Sequence, residues 1–147
     1  MGILFVNSSP NKDGNTARLA AELMAGKEYD TLNLIDHKIY AYGQDYPDDG
    51  FEEVMGQIRS ADTVVMGSPL YWHNICGLMR NLLDRCYGYL GQGEMKGKKL
   101  YFIIQGASPT KEQLAACEFT MSRFAMLYGF EYKGMVTNER DAKNFAW

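Results

Sequence analysis

Short apolar runs alternate along this chain with longer segments of helical period, and that alternation restricts its fold more than any other feature. Gly2 to Asn7 reads as a buried strand that passes into a polar loop, Ser8 to Gly14. Thr16 to Ala25 sets Leu19, Leu23 and Met24 on one helical face, with Asn15 as the expected cap and Gly26 as the stop. Tyr29 to Ile35 is predicted as a second strand, and His37 to Asp49 as a loop without period. Phe51, Val54, Met55 and Ile58 repeat at i, i+3, i+4 and i+7, the stripe of a helix for which Asp48 or Asp49 is the expected cap. Thr63 to Gly67 is a third strand, Ser68 to Asn74 a loop around Pro69, and Ile75 to Tyr87 a helix packed through Ile75, Leu78, Met79, Leu82 and Cys86. Gly88 to Lys98 is glycine-rich and polar. A fourth strand follows over Lys99 to Gln105, then the loop Gly106 to Pro109. Thr110 caps a helix to Tyr128 that buries Leu114, Cys117, Met121, Phe124 and Ala125 and ends at Gly129; Phe130 to Val136 is the fifth strand.

Strands that alternate with helices pair in parallel through right-handed crossovers, with helices on both faces. The expected fold class is therefore α/β, a single domain over residues 1–147 without repeats or an internal boundary. In open sheets of this kind, ligands bind beyond the carboxyl ends of the strands, where the winding reverses. The loops after strands one, three and four are the places to look for a site.

Composition narrows the function classes. A chain of 147 residues buries roughly 70% of the surface of its unfolded form and needs no staple of disulfide or metal. Apolar residues make up 46%, charged residues 22%, and the net charge is −3, which speaks against nucleic acid as a partner. No segment is long enough to cross a membrane, and Ile3-Leu4-Phe5-Val6 is too short for a signal peptide. Val6 stands where a myristoylation signal needs Ser or Thr. Cys76, Cys86 and Cys117 are widely spaced and odd in number, so neither a disulfide framework nor a zinc site is expected. Buried thiols in a reducing cytoplasm fit the pattern.

The loop Ser8-Ser9-Pro10-Asn11-Lys12-Asp13-Gly14-Asn15-Thr16 joins a buried strand to a helix start. It offers the hydroxyls of Ser8, Ser9 and Thr16, the amide of Asn15 and free backbone N–H groups. A helix N-terminus has unpaired donors and a partial positive charge, and so receives a phosphate well. Lys12 adds charge if it is not simply solvated. The loop is neither a P-loop nor a dinucleotide fingerprint, because the glycine patterns of both are absent. An ordinary loop made of capping residues explains the same letters equally well.

The loop Gly67-Ser68-Pro69-Leu70-Tyr71-Trp72-His73-Asn74 places two adjacent aromatic residues after a buried strand. They suit a flat heteroaromatic ring; a core cap or a subunit contact is the competing reading. His73 has no partner identifiable in sequence and is read as structural, with an acid/base role as the alternative.

Together these loops resemble the NAD(P)H-dependent FMN reductase and flavodoxin-like oxidoreductase family. Ser-Ser-Pro-Asn-Lys-Asp-Gly-Asn-Thr at 8–16 is similar to its phosphate loop, and Gly-Ser-Pro-Leu-Tyr-Trp-His-Asn at 67–74, followed by Gly77, Leu78, Asp84 and Arg85, to its flavin loop and the helix after it. The resemblance spans nearly the whole chain. It implies a flavodoxin-like three-layer sandwich with strand order 2-1-3-4-5, and FMN held by its phosphate at Ser8, Asn15 and Thr16. It implies an isoalloxazine lined by Pro69, Leu70, Tyr71, Trp72 and Asn74, with Gln105, Gly106 and Ser108 at its polar edge. It implies NADPH or NADH as transient co-substrate, a small-molecule acceptor such as a quinone or flavin, and no catalytic side chain.

A branch of that family carries a cysteine cluster for an iron–sulfur centre before the second helix. The corresponding stretch here, residues 39–47, has no cysteine, so no iron–sulfur cluster is expected. Thr137 to Trp147 leaves little room for a fifth helix, so the C-terminal helix is expected to be short or missing, and an uncovered face with Trp147 suggests a homodimer. The rivals are an electron-carrier flavodoxin, which tends to be more acidic than this chain, and a flavin-free receiver domain. The latter needs acidic residues where Asn7-Ser8 and Gly67-Ser68 stand.

Overall fold

Ile3–Asn7 forms strand β1, and in the computed structural model, which describes residues 2–147, it lies between two parallel neighbours. On one side is β2 (Asp30–Asn33), on the other β3 (Thr63–Tyr71). Beyond β3 come β5 (Lys99–Gln105) and β6 (Glu131–Val136), also parallel. The two-residue strand β4 (Asn74–Ile75) folds back antiparallel on the end of β3. The sheet order β2-β1-β3-β5-β6 is the expected 2-1-3-4-5 path with β4 inserted in the numbering.

The helices are α1 (Asn15–Leu23), α2 (Phe51–Ser60), α3 (Gly77–Cys86), α4 (Lys111–Tyr128) and α5 (Glu139–Asn144). Side chains alternate across the sheet with period two. Leu4 and Val6 point into a core with Phe51, Val54, Met55 and Ile58 of α2, Met79 and Leu82 of α3, and Cys117 and Met121 of α4. Phe5 points the other way, into a core with Leu19, Ala20 and Leu23 of α1. Each fully buried side chain of this size contributes about 1.5–3 kcal/mol. The three layers follow from these two clusters. Among the described residues, no helix is long and apolar enough to cross a membrane.

Several expectations need correction. Helix α1 starts at Asn15 itself; Gly14 occupies the cap position and no side chain caps the helix. Gly50, not Asp48 or Asp49, precedes α2. Those carboxylates are engaged elsewhere: Asp49 accepts two hydrogen bonds from Arg85 (2.8 and 2.7 Å), and Asp48 pairs with Lys38 and Tyr40. Strand β2 is shorter than expected and runs into a single 3-10 turn, Leu34–Asp36. Ile75 belongs to β4, and α3 begins at Gly77.

The largest change is at β3, which continues through Ser68-Pro69-Leu70-Tyr71 where a loop was expected. Pro69 is tolerated because of where its missing N–H would point. Gly67 turns its carbonyl toward the β1 side, onto Ser8 N–H at 3.0 Å, and Pro69, two residues on, faces the same way past the end of β1.

The C-terminal segment also differs. Asn138 caps α5, its side chain accepting from Asp141 N–H at 2.8 Å, and α5 packs on α1. Trp147 stacks on Tyr101 of the same chain, and so closes the sheet face expected to be bare. Among the described residues, Trp147 is thus engaged within its own chain and leaves no bare sheet face for a second subunit to cover.

Candidate functional site

β1 ends at Asn7, while β3 and β5 pair onward from Gly67–Ile103 to Pro69–Gln105. This overhang creates a recess above β1, and the loop 8–14 folds over it. Buried Asn7 shapes that loop: its amide donates to Asn33 Oδ1 at 3.1 Å and its oxygen accepts from Ser9 N–H at 3.1 Å. Ser9 Oγ accepts from Asn11 N–H, and Asn11 Oδ1 from Asp13 N–H. These are consecutive side-chain-closed turns of the kind short polar residues favour. Gly14 ends the loop in close contact with Asn11, whose Nδ2 would lie 2.9 Å from a Cβ at that position.

The loop delivers the chain to α1 with its first turn exposed to the recess. The first intrahelical bond runs from Arg18 N–H to Gly14 O at 3.0 Å, so the N–H groups before it are not consumed by the helix. A cleft of about 260 Å³ lies at this point. One wall is Ser9, Asn11, Gly14, Asn15 and Thr16; the other is Pro69, Leu70 and Tyr71 with Gln105, Gly106 and Ala107. Gly106 sets its width, because a Cβ there would meet Leu70 Cβ at 3.0 Å. Gly67 lets the walls approach, because a Cβ there would be 2.7 Å from Phe5 Cε1 and 2.9 Å from Thr16 Cγ2.

The cleft thus gathers Ser9, Asn15, Thr16, Pro69, Leu70, Tyr71, Gln105 and Gly106 of the expected site. It does not gather the rest. Ser8 is buried and its hydroxyl donates to Gly67 O at 2.7 Å, so it joins the loop to β3 instead of lining the recess. Lys12 forms an ion pair with Asp36 at 2.7 Å. Trp72 is 94% exposed at a turn tip, Asn74 accepts from Ile75 N–H at 2.9 Å, and Ser108 is exposed. His73 contacts Gln113 at the start of α4.

Sequence reasoning missed Asn7, Asn11, Gly14, Ala107 and Arg18. The asparagines carried a signal, being turn formers at a strand end. Arg18 donates to Asn15 Oδ1 at 2.6 Å and borders a neighbouring recess with Thr137 and Asn138; its i+3 spacing from Asn15 was the available sign.

Unused donors at a helix start, two hydroxyls and no carboxylate on the loop wall fit a phosphate monoester. The facing apolar wall of Pro69, Leu70 and Tyr71 fits a ring. Among the described residues, no group of three or more His, Cys, Asp or Glu side chains is placed to hold a metal ion.

Fold and cleft together define a flavodoxin-like α/β domain with a cleft at the carboxyl edge of its sheet. The chain belongs to the NADPH-dependent FMN reductase family, whose sequence model matches residues 1–136. An iron-sulfur flavoprotein of Archaeoglobus fulgidus is 31% identical over 97 residues, 58% of this chain and 48% of that protein. The chain spans about half the length of the curated relatives it matches. The Trp repressor binding protein of Bacillus subtilis superposes with a TM-score of 0.78 at 16% identity, covering 100% of this chain and 99% of the other. An FMN-dependent NADH-azoreductase of Bacillus anthracis, solved in complex with FMN, superposes at 0.67 with 14% identity, covering 98% and 93%. At these identities the structural likeness speaks for the fold.

Proposed function

We propose that the chain is an FMN-dependent oxidoreductase domain that takes a hydride from NADPH or NADH and delivers it to a small acceptor such as a quinone, a free flavin or an azo compound. The observation that carries this reading is the uncapped start of α1 facing the overhanging end of β3 across the cleft. Membership of the FMN reductase family supports it, as does the FMN in the azoreductase of like fold. Bound FMN supplies the redox chemistry, as a carrier of hydride between two substrates.

The chain's own residues bind and orient. The Ser9 and Thr16 hydroxyls and the first-turn N–H groups of α1 take the phosphate, each bond to a charged oxygen being worth about 1.5–3 kcal/mol. Pro69, Leu70 and Tyr71 offer an apolar wall to the ring, and Gln105 and Gly106 approach it from β5. No side chain is assigned as acid or base.

The domain is proposed to work without an iron–sulfur cluster, because residues 39–47 lack cysteine. Free thiols suit a reducing, cytoplasmic setting. A homodimer is the proposed assembly, supported by exposed Tyr87 just after α3 and exposed Met126 and Leu127 on α4. A net charge of −3 supports neither a nucleic-acid nor an anionic-membrane partner.

The test is an absorbance spectrum of the purified protein loaded with FMN, followed by anaerobic NADPH and NADH. Bleaching of the flavin band by either nucleotide, reversed by a quinone, is the expected result. Bleaching by dithionite but by neither nucleotide would make the domain an electron carrier. Failure to bind FMN at all would end the reading.

A further inference from the structure

The hairpin that carries the apolar wall of the cleft is strained at its two turn residues, and its tip is tied down by one side-chain contact. Leu70 pairs with Ile75 and Tyr71 with Asn74, which leaves Trp72 and His73 as the two turn residues. Both have positive φ, 46° and 69°. A two-residue turn with both positions left-handed is the habit of Asn-Gly, and bulky residues hold it only where surrounding contacts over-determine them.

The contact that does so here is between His73 Nδ1 and Gln113 Nε2. Gln113 is not free to choose its orientation. It is the third residue of the α4 capping box: its N–H donates to Thr110 Oγ1 at 3.2 Å and its Oε1 accepts from Thr110 N–H at 2.9 Å. With the amide oxygen committed, the amide nitrogen donates to His73. Nδ1 must therefore be the bare nitrogen of a neutral imidazole, with the proton on Nε2. A proton added at Nδ1 faces an N–H group and removes the bond. Turning the amide to receive it would break the capping box.

We propose that His73 is a positioning residue whose neutral Nε2–H tautomer latches the Trp72–His73 turn to α4, and that protonation at Nδ1 releases it. Tyr71, the residue before the turn, lines the cleft, so the latch holds the tip end of that wall. The root of the hairpin is anchored separately, by Leu70 against Gly106 and by Cys76 N–H on Ser68 Oγ at 3.0 Å, so release frees the tip and not the strand. The ionisable groups on the elements that meet at the imidazole are Tyr71 on β3 and Lys111, Glu112, Cys117, Glu118, Arg123 and Tyr128 on α4, of which Lys111 and Glu112 share its first turn with Gln113. Among the described residues, the histidine within ion-pair distance of a carboxylate is His37, with Glu53. The consequence for cofactor retention rests on the FMN reading; the latch itself does not.

The experiment uses the full chain without flavin, in wild-type, His73→Gln and Gln113→Glu forms. Imidazole ¹⁵N–¹H spectra report the tautomer, and hydrogen exchange of the 70–76 backbone, corrected for intrinsic rates, reports the hairpin between about pH 7.5 and 5.5. The Nε2–H tautomer is expected at the upper pH. Acidification is expected to raise wild-type exchange about fivefold, the effect of losing one ordinary hydrogen bond. His73→Gln accepts from Gln113 without titrating, so its exchange should be flat. Gln113→Glu keeps the capping box but offers an acceptor to the imidazolium, so its hairpin should be better protected in acid. A proton on Nδ1 at pH 7.5, or equal pH profiles in wild type and His73→Gln, would overturn the latch. A parallel FMN titration separates the two ideas. Loss of FMN affinity in acid that His73→Gln abolishes supports both. No FMN binding with the predicted exchange pattern sinks the cofactor reading and keeps the latch. FMN binding with pH-flat exchange does the reverse.

Discussion

The ring of Trp147 lies parallel to that of Tyr101, with centroids 4.2 Å apart and planes 8° off. Tyr101 is wholly buried in the central sheet, and its hydroxyl finds no hydrogen-bond partner. The last residue of the chain thus seals an otherwise open patch of β-sheet. Tyr101→Phe should keep the stack and remove the orphaned hydroxyl, raising stability by up to about 1 kcal/mol. Trp147→Ala should lower it by about 2 kcal/mol, less than a core Trp truncation because the ring is partly exposed. Urea unfolding of both variants checks this pair of opposite signs.

Arg85 and Asp49 form a two-pronged pair, with Arg85 lying over the Phe51 ring at 4.6 Å. The guanidinium holds the Asp49 carboxyl below the ordinary carboxylate range. A carboxyl depressed in the folded state adds stability above its unfolded titration, near about pH 4, and loses it as the pH falls below that. Asp49→Asn should therefore cost about 1–3 kcal/mol at pH 7 and flatten the acid limb of the stability curve. Denaturant midpoints from pH 7 to pH 3 test it.

Thr16 is almost fully buried with one edge on the cleft, whereas Lys12 is occupied by Asp36. Thr16→Val, which preserves shape, should weaken FMN binding by about 10–100-fold, the worth of one bond to a charged oxygen. Lys12→Ala should change it by less than about twofold, as expected of a solvated ion pair. Flavin fluorescence titration of both variants distinguishes them.

Gly67 has no room for a methyl group between Phe5 and Thr16. Gly67→Ala should destabilise the domain by about 1–3 kcal/mol through overpacking. FMN affinity should fall with it, because the displaced Thr16 belongs to the phosphate wall. Thermal unfolding with and without FMN is the measurement.

The thiols should be silent in the native state. Burial pushes Cys86 up to about 12 and raises Cys117 as well. At pH 8 a thiol reagent should find no fast-reacting site in folded protein and all three cysteines in urea. A rapidly labelled native cysteine would contradict the burial.

The sheet path, the paired cores and most helix faces were legible because period-two and period-3.6 patterns are local properties of the chain. Phe51, Val54, Met55 and Ile58 are all buried as their spacing requires, and Thr110 and Gly129 bound α4 as expected. What failed depended on neighbours distant in sequence. Pro69 reads as a breaker until β1 is seen to stop short beside it. Asp49 reads as a cap until Arg85 claims it. Met95 sits in a polar, glycine-rich stretch, yet is buried, with its N–H on Tyr128 O at 2.7 Å. Within the site, hydroxyl-bearing residues were identifiable by type, but which hydroxyl faced outward was not. Ser8 and Ser9 are neighbours in sequence and turn opposite ways.

Because β3 outruns β1, the rim of the sheet is a stair and not a level edge. A planar guest of the proposed kind would rest against the overhanging end of β3 and leave its other side open. Every reagent must then arrive from the open side. On the proposed reading, hydride donor and acceptor would take turns at that open side, and steady-state rates would then show the parallel-line kinetics of a site that serves one visitor at a time.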